Sequence, residues 1–339
     1  VKNIARKLIG ILTSKAKKLP IRREADRLGV DVLVFGPKGI FWKKRRIRGY
    51  LYSKGHWKKK RFCHLPSAIY NRKYTHRADL ANKLENLIGR PTVFNSVTWF
   101  DKWRIYELLR SAKLVQYLPE TGRYSPSTVA NMLSQWQKLI VKPSRGSFGK
   151  DIYLMAREES SFNLYHNLQI PKISQPTLKK FITSVDHLFN AKPFIVQQFI
   201  SMSRFHDKIF DIRIYVQKNG RGRWSVPGGF CRLAVGGSYI TNQSIDLVGI
   251  EEMTKYRLFS RRQFDRMRHL SVIVAKVIEA GLGHLGEMGV DFCIDMEGRL
   301  WIIEVNGHTQ KSLLKRVNDK SVKKAYYFNP LAYAQHLAR

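Results

Sequence analysis

Residues 290–307, VDFCIDMEGRLWIIEVNG, constrain the chain more than any other segment, because they read as two strands folded back on each other at Glu297-Gly298. Side chains at i and i+2 share one face of a strand. Glu304 and Asn306 therefore stand together, and Asp291 lies on the partner strand across the turn. Two carboxylates and an amide oxygen, all hard donors, converge at one end of the ladder. Mg²⁺ accepts such a set, taking one or two carboxylates and filling its octahedron with water and substrate phosphate. A solvated hairpin with incidental acids supplies the same residues, so the hairpin alone leaves both readings open.

A second segment bears on that choice. The short strand Leu139–Lys142 runs into the turn PSRGSFGKD (143–151), and a second strand, Ile152–Ala156, leaves it. Ser144, Gly146, Ser147 and Gly149 leave backbone N–H groups open to phosphate, and Lys142 projects toward the same place. The spacing is not GxxxxGK[ST] and no helix follows, which excludes a P-loop. A plain hairpin turn remains the other reading.

Three blocks flank these segments. Residues 1–95 open with a basic helix, followed by short β runs such as Val32–Phe35 between the charged loops 43–48 and 58–61. Residues 96–200 begin with a helical pattern over Asp101–Leu114 and end in the strand Phe194–Ile200. Residues 201–339 hold the alternating strand DIRIYVQ (211–217), a strand pair around Trp224 and Phe230–Val235, a helix over about 261–281, and the hairpin. Strands and helices mix without regular βαβ alternation, which predicts an α+β fold.

Charge narrows the partners. The net charge is +36; residues 1–90 carry 25 basic and 5 acidic side chains, an excess of 20. Such a field attracts nucleic acid, anionic surfaces or acidic peptides, and also arises as a solubility device. The basic loops are interleaved with Trp42, Tyr52 and Trp57, yet no recognised nucleic-acid module is present, so a nucleic-acid partner is not favoured. The three cysteines have no paired spacing, arguing against a disulfide framework or zinc site and for a reducing cytoplasm. No run approaches the roughly 18 apolar residues of a membrane span, and Leu8–Leu12 is too short for a signal-peptide core.

Taken in order, Lys102 at the head of a helix, Lys142 before a glycine-bearing turn, Gln197-Gln198-Phe199-Ile200 after an apolar strand, and Asp-x(12)-Glu-x-Asn resemble the ATP-grasp superfamily. VKPSRGSFG is similar to the corresponding segment of D-alanine–D-alanine ligases. DIRIYVQ, Arg232, Thr241-Asn242 and GVDFCID…WIIEVNG are similar to the glutathione synthetase and ribosomal-protein glutamate ligase branch. With YNR (70–72), DKWRIYELL and YLPET, the pattern most resembles the endospore coat-associated YheC/YheD branch, over roughly residues 30–310.

The resemblance implies an ATP-grasp fold, in which an N-terminal α/β pre-grasp domain (1–95) precedes central (96–200) and C-terminal (201–339) α+β subdomains that sandwich ATP. It implies phosphate contacts from Lys102 and Lys142, with Ser147 and Gly149 in a covering loop. Gln197, Gln198, Phe199 and Ile200 would line the adenine edge, and Asp207 is the nearest acid for the ribose. Arg213 would meet the γ-phosphate or acyl phosphate, Arg232 and Asn242 the carboxylate being activated. Asp291, Glu304 and Asn306 would hold one or two Mg²⁺.

The expected activity is an ATP- and Mg²⁺-dependent carboxylate–amine ligation through an acyl phosphate, with glutamate addition to an acidic peptide or spore coat protein as the specific form. A kinase of an anionic small molecule on the same fold, and a non-catalytic coat-associated protein with a retained ATP site, are the alternatives. The expected location is cytoplasmic or coat-associated.

Overall fold

The computed structural model describes residues 6–146, 149–166, 170–241, 244–309, 313, 316 and 320–339. These form three six-stranded sheets. The N-terminal sheet contains β1 (Leu8–Leu12), β2 (Asp31–Phe41), β3 (Arg46–Ser53), β4 (His56–Cys63), β5 (Ala68–Asn71) and β6 (Val93–Phe94), in spatial order β4-β3-β2-β1-β5-β6. The central sheet contains β7 (Thr121–Arg123), β8 (Lys138–Pro143), β9 (Tyr153–Arg157), β10 (Phe162–Tyr165), β11 (Ile173–Gln175) and β12 (Phe194–Gln198). The third contains β13 (Arg204–Phe205), β14 (Lys208–Lys218), β15 (Trp224–Ala234), β16 (Ser244–Gly249), β17 (Glu287–Ile294) and β18 (Leu300–Asn306). Helices α1 (Arg22–Leu28), α2 (Asp79–Ile88), α3 (Lys102–Ser111), α4 (Pro126–Gln135), α5 (Leu178–Phe189), α6 (Ile250–Lys255), α7 (Arg261–Leu282) and α8 (Lys320–Leu337) cover them. The fold is α+β.

Two local expectations are corrected. The opening apolar run is not helical: Leu8–Leu12 is β1, hydrogen-bonded in parallel to β2 and β5. A parallel strand between two neighbours is buried on both faces, so an unbroken apolar run suits it and a one-sided helix does not. Gly10 makes the fit possible, since a Cβ there would lie 2.7 Å from Pro66. Residues 58–61, read as a loop, belong to β4, and the pair of strands read at 224–235 is the single strand β15.

Each sheet has its own core. Leu139, Val141, Met155 and Val196 of the central sheet pack under Val129, Leu133, Phe181 and Val185 of α4 and α5. Along β14, Phe210, Ile212, Ile214 and Val216 face α7, which supplies Met267, Leu270, Val274 and Ile278. α7 starts at a capping box, Ser260 with Gln263, two reciprocal bonds that satisfy otherwise orphan amides. α8 returns to the N-terminal sheet, where Leu331, Tyr333 and Ala334 join Ile9, Ile11, Val32 and Val34. The alternate residues of β14, Asp211 and Arg213, are left on the opposite face from α7, and that face carries the polar site.

Candidate active site

The β17–β18 ladder contains one irregularity. Phe292 pairs with Ile302 and Asp291 with Glu304, so Ile303 is an extra residue on β18. Such a bulge reverses the alternation of the strand past it. Ile302 and Val305, three apart, therefore both reach the core beside Phe292 and Val290. Glu304 and Asn306 are turned to the side of Asp291. Asn306 Nδ2 donates to Asp291 Oδ2 at 3.2 Å and to Glu304 Oε2 at 3.3 Å. At the other end, Gly298, with φ of 78°, closes the turn expected at Glu297-Gly298.

The neighbouring strands extend this acidic edge into a row of alternating charge. Arg213 on β14 lies opposite Asp291, and Asp211 lies opposite Arg232 on β15. Arg213 Nε donates to Asp291 Oδ1 at 2.6 Å and Nη2 to Oδ2 at 2.5 Å. Arg232 Nη2 reaches the same Oδ2 at 2.9 Å, and its Nε reaches Asp211 Oδ1 at 2.7 Å. The Thr241 hydroxyl also donates to Asp211. Charges this deep are tolerated only when paired. Burial alone would raise the Asp291 pKa, but the two guanidiniums outweigh it and hold the carboxyl below its ordinary range. Asp211 was missed in the sequence; its signal is its place two residues before Arg213, on the same strand face.

The glycine-bearing turn is joined to this row through α3. Asp101 caps the helix by accepting from the Trp103 and Arg104 amides, and its carboxylate also accepts from Ser144 Oγ at 2.6 Å and Arg145 Nε at 3.0 Å. That anchors the turn to the helix head. Lys102, the first helical residue, has its amide on the Ser144 carbonyl at 2.9 Å. Its Nζ donates to the Gly146 carbonyl at 3.1 Å and lies 3.2 Å from Glu304 Oε1. Burial opposes ionisation of Glu304, yet Lys102 chiefly holds its pKa below the ordinary value. Lys142 Nζ donates to Gln197 Oε1 at 2.8 Å, and Gln197 Nε2 donates in turn to Thr121 Oγ1 at 2.9 Å. Burial lowers the Lys142 pKa to about 8, with the Glu304 carboxylate opposing the fall.

Lys102, Lys142, Gly149, Gln197, Gln198, Phe199, Ile200, Arg213, Arg232, Asp291, Glu304 and Asn306 all line one cavity between the central and third sheets. Ser147 and Asn242 lie outside the described residues. Asp207 sits in the β13–β14 turn with φ of 60° and does not line the cavity. The sequence reading also missed apolar walls from Ile140, Ile152, Met202, Ile240 and Ile303, and an aromatic rim where Tyr74 stacks on Trp99 with centroids 4.9 Å apart.

Lys102, Lys142, Lys150, Arg213 and Arg232 share the cavity with Asp211, Asp291 and Glu304, five cations against three anions, two positive charges in excess. Asp291 and Glu304 fit a magnesium ion by chemistry, two carboxylates bridged by Asn306 Nδ2; Asn306 would add its amide oxygen by turning its amide over, and phosphate would complete the octahedron.

The chain is similar to the endospore coat-associated protein YheD of Bacillus subtilis (strain 168), 25% identical over 92% of this chain and 72% of YheD. It is 20% identical to YheC of the same organism, over 94% of this chain and 91% of YheC. Among solved structures, VanG D-Ala:D-Ser ligase from Enterococcus faecalis shares the fold with a TM-score of 0.58 at 14% identity, over 99% of this chain and 100% of that one. The ATP-grasp ligase PsnB, solved with precursor peptide PsnA2 and AMPPNP, shares it with a TM-score of 0.57 at 14% identity, over 97% of this chain and 98% of PsnB. Residues 90–337 match the family described as YheC/D like ATP-grasp, and the chain belongs to that family.

Proposed function

We propose that the protein is an ATP- and magnesium-dependent carboxylate–amine ligase acting through an acyl phosphate. The observation that carries this reading is the meeting of Lys102, Lys142, Arg213 and Arg232 with Asp291, Glu304 and Asn306 in a single cavity. Phosphoryl transfer needs positioning and charge neutralisation more than covalent help from the protein. Lys102 and Lys142 hold the phosphates, and Gly149 lines the same cavity. The Gln198 amide is already bonded to the Glu120 carbonyl at 2.8 Å, so Gln198 offers the adenine its carbonyl, and Ile200 its amide. Gln197 and Phe199 flank that edge. Asp291, Glu304 and Asn306 would hold magnesium, which would supply charge neutralisation at the phosphates.

A substrate carboxylate oxygen attacks the γ-phosphorus, the bond to the β-phosphate oxygen breaks, and ADP leaves. Arg213 steadies the transferred phosphoryl group; Arg232 and Asn242 orient the carboxylate. An amine then attacks the acyl carbon, inorganic phosphate departs and the amine loses a proton. The cationic N-terminal region suits an acidic peptide as one substrate. The names of the two Bacillus relatives suit a coat protein as acceptor, with glutamate as the added group.

The test is ADP release by the purified protein with amino acids and acidic peptides, with mass spectrometry of the products. An amide product, and a hydroxamate when hydroxylamine replaces the amine, are expected. A phosphoester product would make the protein a kinase and overturn the ligase reading.

A further inference from the structure

Residues 32–78 carry 14 lysines and arginines and no aspartate or glutamate. They build β2, β3 and β4, and β4 is the outer strand of its sheet. Among the described residues β4 pairs with β3 alone, and no strand lies on its other backbone edge. Sequence alternation sets Lys58 and Lys60 on one face of β4 and Lys59 on the other. Lys59 meets Lys15, Lys38, Arg48 and Tyr50 around a shallow cleft. Among the described residues no carboxylate pairs with Lys58, Lys59 or Lys60.

The edge backbone is arranged to receive a strand. Lys54 and Gly55, with φ of 45° and 83°, form a two-residue turn that sets Ser53 opposite His56. In a hairpin closed this way, hydrogen-bonded and non-bonded pairs alternate from the turn. Trp57 and Lys59 therefore point their amides and carbonyls outward. A lysine or two on an edge strand commonly guards against aggregation. A run of three, one of them sharing a cleft with three further cations, and no acid in 47 residues go beyond that need.

We propose that the open edge of β4 is a docking site for an acidic, extended peptide segment. The segment adds to β4 as a further strand, its backbone bonded to Trp57 and Lys59 and its carboxylates set against Lys58 and Lys60 on one face. The proposal deepens the ligase reading by saying where its peptide substrate is held. β4 is four strands from β5, about 19 Å at ordinary strand spacing. Tyr74, just beyond β5, lines the nucleotide cavity, so changes in β4 leave that cavity intact.

The experiment is fluorescence anisotropy of a labelled peptide of alternating Glu and Val, without nucleotide, at low and high salt. Saturable binding that weakens with salt is expected, and Lys58→Gln with Lys60→Gln should weaken it about tenfold or more. Lys59→Pro keeps most of the charge but removes one outward amide, and should weaken binding likewise. The same peptide N-methylated at alternate residues keeps all its charge and needs no change to the protein, so it decides the matter should Lys59→Pro fail to fold. Equal binding of the N-methylated peptide would overturn strand addition. Tighter, lysine-dependent binding of oligo-dT would make the partner a nucleic acid, and no saturable binding would reduce the lysines to edge guards. A thermal shift with MgATP, run on the same samples, reports on the ligase reading separately.

Discussion

Arg213 holds Asp291 with two donors of its guanidinium, at 2.6 and 2.5 Å, on a pair of residues directly opposite in the β14–β17 ladder. A carboxylate expected to bind metal is thus already neutralised by the protein. Glu304 is in the same condition through Lys102.

Magnesium alone should therefore bind weakly, because it must compete with cations already in place. Nucleotide phosphate gives those cations an alternative partner and the metal further ligands. Differential scanning fluorimetry should show little shift with millimolar Mg²⁺, a clear rise in Tm with MgATP, and most of that rise lost on adding EDTA. An equal shift from Mg²⁺ with and without ATP would count against the shared site.

Replacing Glu304 with Gln keeps the shape of the side chain and removes one negative charge. The fold should survive, since Glu304 is outside the apolar core. ADP release should drop by at least about two orders of magnitude, the scale of losing one electrostatic contact in the transition state. Near-normal turnover in a folded variant would remove Glu304 from the metal set.

The Arg213–Asp291 pair should behave as a buried ion pair in a double-mutant cycle. Arg213→Met alone leaves buried Asp291 with Arg232 as its remaining cation, so it should cost less than the roughly 3–5 kcal/mol of a carboxylate left with none, while adding Asp291→Leu should restore part of the loss. Chemical denaturation of the four proteins measures the coupling. Additive losses would mean that solvent reaches the pair in solution.

Lys142 sets a pH dependence. Burial lowers its pKa from an ordinary 10.5 to about 8, so between those values the unfolded chain binds more protons than the folded one. Stability contributed by this residue then rises with pH across that window; below about 8 the lysine is charged in both states and the cost of burying the charge is fully present. Phosphate beside Lys142 favours its charged form, so ATP binding near pH 9, about midway through the window, should take up protons. Titration calorimetry in two buffers of different ionisation heat detects this, and Lys142→Met should abolish it. Buffer-independent heats in the wild type would place Lys142 away from the phosphates.

Local patterns were legible without a structure. The hairpin, its turn at Gly298, the long helix now seen as Arg261–Leu282 and the turn after Lys142 rest on alternation, helical period and glycine, all carried by neighbours in the chain. The sequence could therefore name most of the residues that meet in the cavity. It could not say what each one touches. Ile303 as a bulge, Asp211 as the partner of Arg232, and Leu8–Leu12 as a central strand depend on register with strands up to about 80 residues away. The return of α8 to the N-terminal sheet depends on the packing of Leu331 and Ala334 with Ile9 and Val32, residues far apart in the chain. Periodicity says which face a side chain takes; the partner across that face is chosen only when distant strands fall into register and buried charge must be paired.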